Sequence, residues 1–220
     1  MKKIFTLISM AMMAVSMNAQ KIVFEEGQNP KDGFANGDFK IAVVDDNDKL
    51  VVDANSAWFG DADESEKFSY RLKSGGKSSS KNNLTVTVPS AGVLKICART
   101  GSNSATDRNV VITQNEEELF NQIVQEADAV MVKGKDESDP EKESKVYPVI
   151  SVNVAAGDVA VTYPVGSINF YCFEFVGGAT GIDPVKASNM MNAAYNLAGQ
   201  RVNAHFKGII VKNGIKYMAK

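Results

Sequence analysis

Short runs in which apolar and polar residues alternate recur along the middle of this chain, separated by turn residues. A period of two places successive side chains on opposite faces of a strand, so each run predicts a half-buried β-strand. The runs are residues 40–44, 50–53, 68–72, 84–88, 93–99, 109–113, 149–154, 159–163 and 168–176. Between them lie an acidic turn at 45–48, a Gly/Ser-rich loop at 74–80, Pro89 followed by Ala91 and Gly92, and Ala156-Gly-Asp158. In 93–99 the alternation sets Leu94, Ile96 and Ala98 on one face and Lys95, Cys97 and Arg99 on the other. In 168–176 the phase slips: Ile168 and Phe170 follow one register, Phe173 and Phe175 the other. A β-bulge near Tyr171 reconciles the two. Short strands at regular spacing predict an all-β fold, an antiparallel β-sandwich.

Two stretches break the pattern. Residues 116–130 carry Leu119, Phe120, Ile123, Val124 and Ala127 at helical spacing, yet also read as a pair of strands continued by 129–132. Residues 134–145 are densely charged with a single proline and predict an exposed, mobile loop.

The two ends carry a different kind of signal. Met1-Lys-Lys is basic, residues 4–15 are apolar save Thr6 and Ser9, and Ala19 supplies a small residue for cleavage. That is the layout of a secretory signal peptide over 1–19, too short to span a bilayer as a mature helix; the alternative is a buried N-terminal helix. Met17 departs from the small residue usual three positions before a cut. No later run is apolar and long enough to be transmembrane. At the other end, Gly177-Gly-Ala-Thr-Gly181 opens a polar linker over 177–192. Beyond it, residues 193–220 predict a small β meander, with a hairpin turning at Asn213-Gly214. With its basic last strand, this segment resembles the C-terminal export and surface-sorting tail of exported Bacteroidetes proteins. The alternative is a last hairpin of the main domain. The organisation expected is therefore a leader, a sandwich over 20–176, a linker and a sorting module. The expected location is the periplasm, the cell surface or outside the cell.

Composition narrows the chemistry. Charge is nearly balanced at −2, with no basic stripe to neutralise phosphates, so nucleic acid is not an expected partner. The only histidine, His205, lies in the tail, which removes His-based triads and His-rich metal sites from the middle. Glycine-rich phosphate loops and the Gly-x-Ser-x-Gly elbow are absent. Cys97 and Cys172 are the two cysteines, both in strand-like runs; they are either one disulfide of an exported protein or two buried free thiols. Acidic turns at 45–48 and 61–64 offer oxygen ligands for calcium without a complete loop, and acidic turns are common on any surface.

The order of the pieces carries a further likeness. Tyr70-Arg-Leu-Lys-Ser-Gly-Gly76 precedes Leu84-Thr-Val-Thr-Val-Pro89; then come Ala91-Gly-Val-Leu-Lys-Ile-Cys-Ala-Arg-Thr-Gly-Ser102, Asp107-Arg-Asn-Val-Val-Ile112 and Gly166-Ser-Ile-Asn-Phe-Tyr-Cys-Phe-Glu-Phe175. Over about residues 35–176 this resembles the jelly-roll-like β-sandwich attached to Bacteroidetes pectate lyases and other polysaccharide-degrading proteins. The resemblance favours strands in 116–130 and implies a carbohydrate-binding role, with a polysaccharide or oligosaccharide as partner.

Sugars are held by aromatic faces and polar forks, which makes Trp58, Arg71, Arg99, Arg108, Tyr163 and Tyr171 the candidate ligand-binding residues. Trp58 sits in a loop-like setting and either stacks on a sugar or plugs one end of the core. Arg99 and Arg108 flank a Gly/Ser loop; they either pair with a uronate carboxylate or brace the loop. Arg71 and Tyr171 within strands read more readily as outward-facing structural residues, and Tyr163 before Pro164 reads equally as a rim residue of the core. The expected function is thus noncatalytic carbohydrate binding. A structural or adhesive protein that meets another protein is the alternative, and a carboxylate-based enzyme acting on glycans is a third reading.

Overall fold

The computed structural model describes residues 19–136 and 138–178, together with the strands of a C-terminal unit. The leader up to residue 18, most of the linker, and His205 lie outside the described residues. Contacts divide the chain into one unit over Met1–Ala179 and another over Thr180–Lys220.

The first unit is an all-β sandwich. Its strands are β1 (Ala19–Val23), β2 (Phe34–Asn36), β3 (Phe39–Asp45), β4 (Leu50–Gly60), β5 (Ser65–Ser74), β6 (Asn82–Val88) and β7 (Gly92–Thr100). They continue as β8 (Asn109–Gln114), β9 (Glu117–Ile123), β10 (Val130–Val132), β11 (Ser144–Tyr147), β12 (Ile150–Val154), β13 (Gly157–Thr162) and β14 (Ile168–Gly177). The larger sheet runs β10-β11-β4-β5-β14-β7-β12, with β1 also on β14; the smaller runs β2-β3-β6-β13-β8-β9. Neighbours are antiparallel except β11 on β4.

Strand β14 occupies the middle of the larger sheet. One edge pairs with β7 along its length; the other pairs with β5 over Asn169 and Phe170 and with β1 over Cys172–Val176. The β7 pairing shifts register between Phe170 and Cys172, which is the bulge that the phase slip predicts. The slip has a physical cause. Ile168, Phe170, Phe173 and Phe175 face the core between the sheets, while Tyr171 and Cys172 face a second apolar cluster on the outside of the larger sheet. A strand buried on both faces has no solvent side to show as alternation.

The main core is built as the alternation requires. Leu94, Ile96 and Ala98 of β7 and the Phe side chains of β14 meet Phe39, Ile41, Leu84, Val86, Val110, Ile112, Val159 and Val161 of the smaller sheet. Phe39 stacks on Phe175 at 6.0 Å between ring centroids. Gly92 is required where β7 begins beside the end of β14, since a Cβ there would lie 2.4 Å from the Val176 carbonyl oxygen.

The stretch with helical spacing is strand. Asn115 and Glu116 both take positive φ, 51° and 65°, and so form a two-residue turn that sends β9 back along β8. Only residues Glu126–Asp128 are helical, as one 3-10 turn. The charged loop beyond β10 is tied down: Lys133 pairs with Glu141, Lys142 with Asp136, and the Gly134 amide donates to the Pro140 carbonyl.

The C-terminal unit holds β15 (Ala194–Asn196), β16 (Arg201–Val202), β17 (Gly208–Lys212) and β18 (Ile215–Ala219) in one antiparallel sheet. The β17–β18 hairpin closes at the pair Lys212 and Ile215, around the expected turn. The order is β16-β15-β17-β18, so β15 lies between its two partners; a strict meander would follow chain order.

Candidate functional site

On the outside of the larger sheet, the segment from β9 to β12 folds across β4, β7 and β14. Beneath it Phe59 packs on Tyr171 (5.1 Å between centroids), Tyr147 (5.6 Å) and Phe68 (6.1 Å), beside Ala57, Cys97 and Cys172. Arg99 fastens this cover. Its Nε donates to the Tyr171 hydroxyl (3.1 Å), Nη1 to Glu126 (3.3 Å) and Nη2 to Asn55 (3.3 Å), and its guanidinium lies over the Tyr147 ring at 5.4 Å. Tyr171 in turn donates to Asn55 at 2.6 Å. Glu126 also pairs with Lys145 at 2.7 Å. Burial alone would raise the Glu126 carboxyl; hydrogen bonds from Lys145 and Tyr147 and the Arg99 charge outweigh it and hold the group below its ordinary range.

Two clefts open beside this cover. One, of about 810 Å³, is lined by Trp58, Lys67, Arg99, Lys135, Asp136, Lys142, Lys145 and Tyr147, with Ser56, Ala57, Ser138 and Ser144. Trp58 stands on β4, opposite Lys67 of β5 and Val146 of β11. Its indole is half-buried, with the Lys135 and Lys67 ammonium groups 5.5 and 5.8 Å from a ring centroid. The other cleft, of about 660 Å³, has Phe59, Phe68, Cys97, Cys172 and Val149 among its apolar residues; its charged residues include Lys21 paired with Glu66, and Lys95 paired with Glu174 at 3.6 Å.

The six candidate residues part company here. Trp58 and Arg99 line one cleft; Arg108 does not. Trp58 is on a strand and not in a loop, because a bulge between Ala54 and Ala57 lets polar Asn55 and Ser56 pass within β4. Arg108 braces loops: its Nη1 donates to the Ser167 carbonyl (3.0 Å) and hydroxyl (2.6 Å). Arg71 makes a two-pronged pair with Asp53 of the neighbouring strand, at 2.6 and 3.2 Å. Tyr163 is wholly buried and donates to Asn82 at 2.6 Å. Tyr171 is wholly buried under the cover. Lys67, Lys135, Lys142 and Lys145 were not singled out by sequence reasoning; lysines are common on any surface, and it is the β4–β5 pairing for Lys67, and the parallel β11–β4 pairing for the others, that gathers them around Trp58.

The first acidic turn, at 45–48, has local partners. Asp45 accepts from the Lys49 and Leu50 amides, and Asp48 pairs with Lys31. Among the described residues no group of three or more His, Cys, Asp or Glu converges as metal ligands. Cys97 and Cys172 are opposed free thiols. No helix among the described residues is long and apolar enough to cross a membrane.

Fold and cleft together define an all-β sandwich that carries a tryptophan in a lysine-rich groove. No protein-family model matches the chain, and no curated protein does. Solved structures are similar at low scores. A chain from work on the complexity of the Ruminococcus flavefaciens cellulosome and its expansion in glycan recognition has a TM-score of 0.37 and 13% identity, covering 72% of this chain and 93% of its own. The catalytic unit of a thermostable GH87 alpha-1,3-glucanase from Streptomyces thermodiastaticus strain HF3-3 has a TM-score of 0.35 and 12% identity, covering 69% of this chain and 28% of the glucanase. A GH87 alpha-1,3-glucanase catalytic domain in complex with nigerose has a TM-score of 0.33 and 12% identity, covering 68% and 30%. This chain spans less than a third of either glucanase. These neighbours are carbohydrate-related, and at such scores they carry no argument about what this chain does.

Proposed function

We propose that this protein is an exported, noncatalytic carbohydrate-binding β-sandwich whose ligand is an acidic polysaccharide or oligosaccharide seated in the Trp58 cleft. The observation that carries the reading is the half-buried indole flanked by Lys67 and Lys135, in a cleft also lined by Arg99 and Lys145, which share Glu126, and by Lys142, which pairs with Asp136. An indole face takes up the C–H side of a sugar ring, and ammonium groups at its edge pair with carboxylate or sulfate. The lysines that lie over the ring are long and hydrated, and swing to an arriving anion at small cost.

The test is affinity electrophoresis in gels containing polygalacturonate, a sulfated glycan or neutral glucans. Retardation by an acidic glycan, weakened at least about tenfold in Trp58→Ala and falling with added salt, is expected. Migration unaffected by every acidic glycan sinks the reading, and release of reducing ends from any of them sinks its noncatalytic part. A second reading, adhesion to another protein, is favoured by Val130 and Met131, each about half exposed (52% and 51%) on edge strand β10. It predicts adhesion that survives Trp58→Ala and is lost when both residues become lysine.

The C-terminal unit serves, on this reading, as an export or surface-sorting signal, and residues 1–19 as a cleaved leader. The reading is supported by the resemblance of each segment and by the paired β17–β18 hairpin. Deleting residues 193–220 should leave the protein in the periplasm of its host; unchanged surface display removes the sorting role.

A further inference from the structure

The two cysteines are brought opposite each other by the bulge. Phe170 pairs with Ala98, and the next pair is Cys172 with Cys97; in an unbroken register Tyr171 would oppose Cys97 and Cys172 would oppose Ile96. The extra residue also turns Cys172 to the outer face that Cys97 already occupies, since both belong to the cluster around Phe59. Directly opposed residues of an antiparallel pair have Cα atoms about 4.5–5.5 Å apart, within the roughly 4.4–6.8 Å that a disulfide spans. Both side chains are buried, at 7% and 1% exposure. The hydrogen bond with Cys97, and then burial, push the Cys172 thiol well above its ordinary range, so Cys172 in the folded, reduced protein holds almost no thiolate.

We propose that Cys97 and Cys172 form an intramolecular disulfide across β7 and β14 while the chain folds in an oxidising compartment. The oxidant is an external disulfide: a dithiol oxidoreductase in its disulfide form in the cell, oxidised glutathione in the test tube. One cysteine thiolate attacks that disulfide and releases one thiol; the second attacks the mixed disulfide at the protein sulfur and releases the other. The protein loses two thiol hydrogens as it is oxidised, and the oxidant is reduced to two thiols. Exchange needs access to the sulfurs, and both are buried once the sheet is complete, so it belongs to the folding chain, and the finished sheet then shields the bond. The redox state of the pair records the compartment in which the sandwich folded. This goes beyond the glycan-binding reading and does not depend on it.

The experiment refolds the reduced full chain in mixed reduced and oxidised glutathione, traps thiols with iodoacetamide in denaturant, and reads intact mass and a peptide map. Expected is a product about 2 Da lighter than the reduced chain, unalkylated, with one linked peptide pair containing Cys97 and Cys172. Its thermal midpoint should lie about 5–15 °C above that of the same sample after reduction. The double variant Cys97→Ala/Cys172→Ala should show no redox-dependent midpoint; should it not fold, the wild-type mass and midpoints decide alone. Two alkylated thiols, a bond between chains, or an oxidised form no more stable than the reduced one overturns the proposal.

Discussion

The larger sheet buries apolar side chains on both of its faces, and the two faces are held by different means. Inside, twenty-six buried hydrophobics from both sheets form one cluster, with the polar Asn82 and Tyr163 bonded to each other at its margin. Outside, seven residues gather around Phe59, and the cover over them is fastened by one guanidinium and the groups it satisfies. The inner face is held by area and close packing, which are spread over many residues. The outer face depends on few contacts, so it concentrates its stability in Arg99, and the Trp58 cleft opens beside it.

The sharpest way to break the contrast is to remove one large side chain from each side of it. Phe173→Ala, in the inner cluster, should cost about 3–5 kcal/mol in urea unfolding, for lost burial and an unfilled cavity. Next comes Arg99→Met, which deprives Tyr171, Asn55 and Glu126 of a shared donor and should cost about 2–3 kcal/mol. Its signature is regional: amides of residues 124–132 should exchange faster, while those of β6 and β13 keep their protection. Equal loosening of both regions would erase the distinction. Trp58→Ala should cost less than about 1 kcal/mol in stability, because the indole is only half-buried, while removing glycan retardation.

The smallest expected effect is with pH. Glu126 is held ionised below its ordinary range, so the stability it lends is fully present above the unfolded carboxylate range and is lost as pH falls through the lower folded value. Acidification should therefore loosen residues 124–132 before the inner core, as hydrogen exchange at stepped pH would show. Glu126→Gln should flatten that acid limb; a variant with an unchanged limb would place its cause elsewhere.

The inner face was legible because most of its strands, such as β6 and β8, have one wetter side and alternate. Leu94, Ile96 and Ala98 fell on the core side, and even the bulge at Tyr171 was visible as a phase slip in β14. The outer cluster was not, because its members come from strands far apart in sequence. Phe59 follows a polar bulge that reads as loop, and Tyr147 ends a four-residue strand whose only partner besides β10 is parallel. Of the candidate residues, Arg71 pairs with Asp53, Arg108 holds Ser167 in the loop before β14 and not the Gly/Ser loop that it flanks, and Trp58 and Arg99 line one cleft. Single-residue chemistry can name a tryptophan as a stacking candidate; which lysines surround it is a matter of topology.

The central position of β14 bears on how the chain is made. A ribosome or a translocon delivers residues in order, and the strand that joins β5, β7 and β1 is the last of its unit to emerge. Until it arrives the larger sheet is two separate pieces and an unpaired β1, with open edges, and Phe170, Tyr171, Phe173 and Phe175 are missing from it. The sandwich therefore cannot close piecemeal: the nascent chain stays loose and threadable until its final segment is out, and then completes in one late step whose speed is set by the longest sequence separations in the fold.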